Sequence, residues 1–115
     1  MNTDPDCIFC KIVAGRIPAR KVHEDAELLA FHDINPWAPV HVLEIPKMHI
    51  ATLADVGPEL DALLGRMLGL APRLMRELGV VNGFRTLINS GRDGGQEVYH
   101  LHLHVMGGPR PWARG

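Results

Sequence analysis

The sequence has few cysteines, little net charge and no long apolar run. Its net charge is −1, from 13 acidic and 12 basic residues, so it offers neither a basic surface for nucleic acid nor a polybasic membrane anchor. No apolar run approaches the roughly 20 residues that a membrane helix needs, and the acidic N-terminus lacks the basic start and apolar stretch of a secretory signal. A disulfide between Cys7 and Cys10 would close a very small loop, which a reducing compartment disfavours. We therefore expect a cytoplasmic protein that binds neither nucleic acid nor membrane.

Length and hydrophobic pattern predict one α+β domain. The chain has 115 residues, of which 46% are hydrophobic and 22% charged, as in ordinary globular domains. Residues 1–6 are polar and are expected to form a disordered N-terminal segment, followed by a single domain at 7–115. The periodicity predicts a short helix at 7–15, three strands, a long helix at 58–79 that bends or breaks near Pro72, and two more strands. Short connections favour an antiparallel five-stranded sheet with the long helix on one face.

The last predicted strand, at 99–108, alternates histidines with apolar residues. Successive side chains of a strand point to opposite faces, so the three histidines share one face and the apolar residues face the core. Same-face neighbours lie about 6.6 Å apart on a strand, so several imidazoles can converge on one small anion or one metal ion. The histidines are His100, His102 and His104, and the apolar residues are Leu101, Leu103 and Val105.

A glycine-rich loop at 90–97 comes directly before this strand. Its glycines allow positive φ and a close approach of the backbone to a ligand, and turns of this kind line up N–H groups around an anion. Next to three histidines, the loop predicts a phosphate site. An imidazole there can attack phosphorus and leave again, which splits one displacement into two, while neighbouring imidazoles stabilise the developing charge. The same histidines also have the spacing of a metal site, which stays an alternative.

Two features outside the run also carry chemistry. Asp33 follows an apolar strand, where its carboxylate is suited to accept hydrogen bonds from a diol, although a turn-forming role before Asn35 is the alternative. The spacing Cys7-x-x-Cys10 is half of a zinc site, whose other ligands must come from elsewhere. The alternative at this pair is two free thiols.

The histidine run resembles the signature of the histidine triad (HIT) family, in which three histidines alternate with apolar residues. Residues 31–36 and 39–49 resemble the two N-terminal strands of that family, and residues 89–100 resemble its phosphate loop. The resemblance covers the chain from residue 7 to its end and is most like the Hint-like branch of bacterial type. It implies a sheet that extends across a homodimer. It also implies a hydrolase that binds a purine nucleotide such as AMP or GMP and cleaves nucleoside phosphoramidates, or related purine nucleotide conjugates, through a covalent nucleotidyl-histidine.

The same resemblance implies roles for individual residues. His102 would be the nucleophile, and His104 would contact the phosphate. His41 would support that pair, and His100 completes the catalytic set. Glu97 replaces a serine of the better-known eukaryotic members, so we expect it to face outward or to bind a cationic amine leaving group. No catalytic cofactor is expected. The implied nucleotide-binding residues are Phe9, Ile12, Ile17, Phe31, His32, Asp33, Ile34, Asn89, Gly95, Gln96, Glu97 and Val98.

The resemblance also completes a zinc site at the cysteine pair. In many bacterial HIT proteins a structural zinc lies between such a pair and two histidines. A structural Zn²⁺ here would tie the N-terminal helix to the sheet. Its implied ligands are Cys7, Cys10, His49 and His100. His100 would then be unable to contact phosphate.

Two other functions stay open. A zinc-dependent hydrolase would use His100, His102 and His104 to hold a catalytic zinc, but it would leave the glycine loop and Asp33 without a role. A nucleotide-binding regulatory or interaction module with incidental hydrolysis would share every motif with the enzyme, so the sequence does not separate the two.

Overall fold

The structure, a computed structural model, describes residues 3–114. The first two residues of the expected N-terminal segment, and residue 115 at the end of the expected domain, lie outside the described residues. Residues 3–6 lead into the domain through a turn, in which the carbonyl oxygen of Asp4 accepts a hydrogen bond from the backbone N–H of Cys7, 3.1 Å away. Over the described residues, no helix combines the length and the apolar character that crossing a bilayer requires.

The short helix, α1, spans Ile8–Val13 and carries one wall of the candidate site. Cys7 precedes it as the N-cap, where its sulfur accepts a hydrogen bond from the N–H of Cys10, 3.3 Å away. Gly15 follows with a φ of +79°, a left-handed conformation that glycine adopts without strain and that ends the helix. Phe9 is buried against residues of the sheet, so the face of α1 that carries Phe9 packs toward the sheet.

Five strands form one antiparallel sheet in the order β1-β2-β3-β5-β4. The strands are β1 (Lys21–Glu24), β2 (Leu28–His32), β3 (Val40–Pro46), β4 (Phe84–Leu87) and β5 (Leu103–Gly107). The strand that carries His104 therefore lies inside the sheet, between β3 and β4, and β1 and β4 form its edges. This architecture confirms the predicted α+β fold, with one short helix and one long helix. The extension of the sheet to a second chain stays a prediction.

The long helix, α2, spans Asp61–Glu77. Two 3₁₀ turns, Leu53–Asp55 and Pro58–Leu60, precede it. Pro72 lies inside α2, yet the helix continues through it over 17 residues, so the predicted break does not occur. Burial of the apolar face against the sheet explains this continuity, because tertiary packing supplies most of the stability of such a helix and outweighs one missing N–H. The buried residues of α2 are Leu63, Met67, Leu70, Ala71, Leu74 and Met75.

Both faces of the sheet are buried. Ala30, Val42 and Leu103 lie on the face that packs against α2. Phe31 and Leu43 lie on the opposite face, which packs against α1. Since α1 has only six residues, the second face also leaves room for a cavity, which these two strand residues line.

The strand of the histidine run is shorter than predicted, which places His100 and His102 before it. β5 begins at Leu103. Just upstream of Leu103, the carbonyl oxygen of Pro46 in β3 accepts a hydrogen bond from the Nε2 of His100 at 2.7 Å. The backbone nitrogen of Pro46 carries no hydrogen, so it donates no hydrogen bond to a neighbouring strand. The alternation of the run is kept, because Leu101 and Leu103 are both buried in the core beneath α2.

Candidate active site

A cavity of about 780 Å³ opens on the α1 side of the sheet. This volume suits a small organic ligand. His102 and His104 line it, together with every implied nucleotide-binding residue except Gln96. These residues are Phe9, Ile12, Ile17, Phe31, His32, Asp33, Ile34, Asn89, Gly95, Glu97 and Val98. Folding therefore gathers residues from distant parts of the sequence around one space.

One part of the cavity wall is apolar. Phe9 packs edge-on against Phe31, with ring centroids 5.6 Å apart, and edge-on against His102, with centroids 5.3 Å apart. Ile12 and Ile17 complete this part of the lining. Aromatic and aliphatic walls of this kind suit a planar base.

His102 is held in a defined tautomer. Its Nδ1 lies 2.7 Å from the carbonyl oxygen of His100. A carbonyl only accepts, so Nδ1 donates its proton and the Nε2 of the neutral ring keeps its lone pair. Since His102 lines the cavity, this lone pair belongs to a group that can attack an electrophile bound there.

His104 is oriented by a chain of hydrogen bonds that begins at Trp37. The backbone N–H of Trp37 donates to the Nδ1 of His41 at 2.9 Å, so the neutral His41 ring carries its proton on Nε2. This Nε2 lies 2.9 Å from the Nδ1 of His104, which must accept. The proton of His104 is therefore on its own Nε2. His104 lines the cavity, whereas His41 is buried behind it, so His41 acts by orienting His104.

Burial keeps the hydrogen-bonded pair of His41 and His104, the relay, uncharged at neutral pH. Desolvation, with the charges of His102 and His41, lowers the pKa of His104 to about 4. Desolvation also lowers the pKa of His41, although the nearby carboxylate of Asp33 acts in the opposite direction. A neutral His104 is still a hydrogen-bond donor, because the relay places its proton on Nε2.

Asp33 forms a turn and also lines the cavity. Its Oδ1 accepts a hydrogen bond from the N–H of Asn35 at 2.8 Å, which closes a turn. Its Oδ2 lies 3.5 Å from the Nε2 of His41, and the residue lines the cavity. The turn is therefore compatible with a place in the site, while contact with a ribose stays a prediction.

Gln96 uses its side chain inside the loop and does not line the cavity. Its Oε1 accepts from the N–H of Gly91 at 2.9 Å, and its Nε2 donates to the carbonyls of Ala51 and Val98 at 2.7 and 3.0 Å. These bonds fasten the glycine-rich loop to the segment after β3. The sequence does not distinguish an amide that binds phosphate from one that holds the loop, because both occur in such loops.

Four side chains behind α1 form a compact donor cluster. The ligand atoms of Cys7, Cys10, His49 and His100 lie within 4.8 Å of one another. The Nδ1 of His100 is 3.2 Å from the sulfur of Cys7 and 3.6 Å from that of Cys10. Tetrahedral Zn²⁺ with ordinary bond lengths separates sulfur and nitrogen ligands by about 3.6 Å, so the cluster fits zinc. The Nε2 of His100 donates to a backbone carbonyl, which leaves the lone pair of Nδ1 for a metal.

The three histidines of the run do not converge on one point, contrary to expectation. The Nδ1 of His100 faces the cysteines, while His102 and His104 line the cavity. Within residues 3–114, the second group of ligand atoms that lie within 4.8 Å joins Asp33, His41 and His104, and no such group joins all three histidines of the run. The geometry therefore argues against the zinc-dependent hydrolase, because the bend before β5 turns His100 toward α1.

Two residues of the site had no motif in the sequence. The indole ring of Trp37 stacks on His104, with centroids 5.3 Å apart and planes 19° apart. The guanidinium of Arg114 lies over the same indole, 4.3 Å from its centroid, and lines the cavity. The one local signal was the position of Trp37 four residues before His41, a spacing that allows its backbone N–H to reach that ring.

Sequence comparison agrees with this architecture. The family model of the HIT domain matches residues 14–110. Protein HitA of Neisseria gonorrhoeae is 54% identical over 104 residues, which cover 90% of this chain and 97% of that protein. The purine nucleoside phosphoramidase of Escherichia coli (strain K12) is 43% identical over 104 residues, which cover 90% of this chain and 87% of that enzyme.

Solved structures are similar over nearly the same extent. A HIT family hydrolase from Legionella pneumophila superposes with a TM-score of 0.88 at 49% identity, covering 91% of this chain and 95% of that chain. A zinc-bound histidine triad family protein from Mycobacterium smegmatis superposes with a TM-score of 0.78 at 38% identity, covering 89% and 74% of the two chains. This chain therefore belongs to the HIT domain family, as its histidine run predicted.

Proposed function

We propose that this protein is a nucleotide hydrolase that cleaves purine nucleoside phosphoramidates, or related purine nucleotide conjugates, through a covalent nucleotidyl-His102. The observation that carries the proposal is the 2.7 Å contact between the Nδ1 of His102 and the carbonyl oxygen of His100. It leaves the Nε2 lone pair of a residue in the cavity for attack on phosphorus. The phosphoramidase activity of the related E. coli enzyme supports the same class of substrate.

In the first step, the Nε2 of His102 forms a bond to the α-phosphorus while the bond from phosphorus to the leaving nitrogen breaks. The leaving nitrogen keeps the bonding electron pair and takes a proton from water. His104 donates its Nε2 proton as a hydrogen bond to a phosphate oxygen, which stabilises the charge that develops there. In the second step, water attacks phosphorus and the bond to His102 breaks, with its electron pair returning to Nε2. The attacking water gives one proton to solvent, which replaces the proton taken in the first step, and the nucleoside monophosphate leaves with the water oxygen.

The shape of the cavity supports a purine nucleotide such as AMP or GMP as the ligand. The apolar wall around Phe9 and Phe31 suits the base. The carboxylate of Asp33 lies beside His41 in the same site, where it can accept hydrogen bonds from the ribose hydroxyls. Glu97 also lines the cavity, so its carboxylate is available to bind an amine leaving group. The wild-type turnover number on an adenosine phosphoramidate distinguishes an enzyme from a binding module with incidental activity.

The substitution His102→Asn tests the mechanism. We expect it to abolish turnover of an adenosine phosphoramidate while AMP still binds, because the nucleophile is lost but the walls of the cavity remain. The matched control is His23→Asn, since His23 pairs with Asp25 at the protein surface and does not line the cavity. Labelled nucleotide trapped on any residue other than His102, or substantial turnover by His102→Asn, would contradict the proposal.

The cluster behind α1 is proposed to hold one structural Zn²⁺. Two thiolates and two imidazoles are a donor set that zinc prefers in closed structural sites. The support is the fit of the sulfur–nitrogen distances, together with the zinc found in the related M. smegmatis protein. Such an ion would tie α1, through Cys7 and Cys10, to the segments that carry His49 and His100. It has no role in the steps at His102.

A homodimer in which the sheet continues across β4 is proposed as well. β4 is an edge strand, and the large side chain of Phe84 on it is 42% exposed. On α2, Leu68 is 54% exposed although it belongs to the apolar periodicity of the helix. An unpaired strand edge beside exposed apolar side chains is typical of a surface that pairs with another chain.

A further inference from the structure

The cavity contains few groups that compensate a negative charge. Among residues 3–114, the carboxylates and guanidinium groups that line it belong to Asp33, Glu97, Arg20 and Arg114. The backbone carbonyl of Arg20 accepts from the N–H of His32, and its charge acts on the His32 ring, which places this arginine beside the end of β2. Arg114 is the second arginine of this lining, and its guanidinium lies over the indole that stacks on His104.

The C-terminal segment is anchored so that Arg114 returns to the site. Gly108 has a φ of +111°, and a Cβ there would lie 2.7 Å from a side-chain atom of Pro39, so only glycine lets the chain pass this close. The Nε1 of Trp112 donates to the carbonyl of Gly108 at 3.0 Å. The N–H of Ala113 then donates to the carbonyl of Trp37 at 2.7 Å. These contacts bring the next residue over the indole of Trp37.

We propose that Arg114 binds the phosphate of the nucleotide and supplies a positive charge beside it. The proposal rests on the proposed function, since it places the phosphate beside His102 and His104. The shared cavity carries it: Arg114 lines the same cavity as His102 and His104, and its guanidinium lies 4.3 Å from the centroid of the indole that also stacks on His104.

The chemistry of the neighbouring groups favours this assignment. The pKa of His104 is lowered to about 4, so the relay donates hydrogen bonds without a formal charge. A phosphate diester or amidate carries one negative charge, which its non-bridging oxygens share and keep in the transition state. A guanidinium donates several N–H groups to such oxygens and keeps its charge at every physiological pH. Stacking on indole restricts the motion of the long side chain and so lowers the entropy cost of binding.

The test compares AMP with adenosine, which lacks the phosphate. Binding of each is measured by calorimetry on the wild type and on Arg114→Ala, Arg114→Lys and Arg76→Ala. Arg76 is exposed on α2 and does not line the cavity, so Arg76→Ala is the control that makes the same change in net charge away from the ligand. We expect Arg114→Ala to weaken AMP binding roughly tenfold and adenosine binding less than twofold, since a hydrogen bond to a charged group is at stake. Arg114→Lys should recover most of the AMP affinity.

Each other outcome overturns the assignment. Equal weakening of AMP and adenosine by Arg114→Ala would mean that the residue only holds the shape of the cavity. Equal weakening of AMP binding by Arg76→Ala would mean a general effect of net charge. Unchanged AMP binding in Arg114→Ala would overturn the role of Arg114 and leave the proposed function intact. Absence of AMP binding by the wild type would overturn both.

Discussion

Replacing Glu44 by glutamine should remove a pH dependence from the stability of the fold. Glu44 lies on β3 between Ala30 of β2 and Leu103 of β5, on the face beneath α2. It has no exposed surface, and neither of its carboxylate oxygens has a hydrogen-bond partner among the described residues. Desolvation raises its pKa to about 8, although the charge of Arg73 acts in the opposite direction. The carboxyl group is therefore protonated in the folded state at neutral pH.

The sign of the effect follows from the two pKa values of Glu44. In the unfolded chain the carboxyl has an ordinary pKa of 4.5, and in the fold the pKa is about 8. Between these values the folded state holds a proton that the unfolded chain has released. The free energy of unfolding therefore falls by about 1.4 kcal/mol for each unit that the pH rises. The contribution is complete below pH 4.5 and is lost as the pH rises through 8, about 5 kcal/mol in all.

Buried histidines restrict the pH range in which the effect of Glu44 on the free energy of unfolding can be measured by itself. Desolvation lowers the pKa of His100 and of His104 to about 4, below the usual value of 6.5. The stability that these histidines contribute is present above pH 6.5 and is lost as the pH falls toward 4. The histidines thus make stability rise with pH, whereas Glu44 makes it fall. Above pH 7 the contribution of the histidines is nearly constant. From pH 7 to pH 8.5 the carboxyl of Glu44 still accounts for about 1 kcal/mol.

Urea unfolding followed by circular dichroism measures this difference. At constant ionic strength, the free energy of unfolding of the wild type should fall by about 1 kcal/mol from pH 7 to pH 8.5. Glu44→Gln keeps the size of the side chain but cannot ionise, so its stability should not change over this interval. Glu77→Gln, at an exposed position on α2, should behave as the wild type does. An equal fall in the wild type and in Glu44→Gln would refute the reasoning.

Two predictions concern the zinc and the dimer. Cys10→Ser should abolish the binding of one zinc per chain, measured by elemental analysis, and lower the Tm by several degrees, because a closed structural site contributes to folding; an unchanged zinc content would count against the site. Phe84→Glu, at the exposed edge of β4, should shift the mass measured by light scattering from two chains to one, whereas Lys21→Gln on the opposite edge should not. A monomeric wild type would exclude the dimer.

Local patterns predicted most of the fold because they report local geometry. The alternation of 101–105 required its apolar face to be buried, and Leu101, Leu103 and Val105 lie in the core beneath α2. Gly15 and the prolines placed the ends of elements to within a few residues. The predicted break near Pro72 does not occur, since the missing N–H is a local cost that the contact of α2 with the sheet outweighs, while the bend stays a prediction. The bend at His100 depends on Pro46, fifty-four residues away, so no local pattern indicated it.

Two features of the interior were hidden from the sequence for the same reason. Trp37 lies between prolines in a short segment, where an indole has many possible neighbours until β3 and β5 pair. Glu44 interrupts an apolar strand and has the appearance of an ordinary solvent-exposed position. Only the packing of α2 over that face removes it from water.

The amino-acid sequence alone determined the class of fold and the kind of site. Period-two alternation assigned the histidines to one face, and the glycine loop beside them indicated a phosphate. The tertiary structure decided the surroundings of each histidine, because the tautomer of a ring depends on partners that only long-range pairing supplies. Cys7 draws His100 toward α1, the carbonyl of His100 sets the proton of His102, and His41 orients His104. Three residues that are equivalent by spacing thus become a candidate metal ligand, a candidate nucleophile and a candidate hydrogen-bond donor to phosphate.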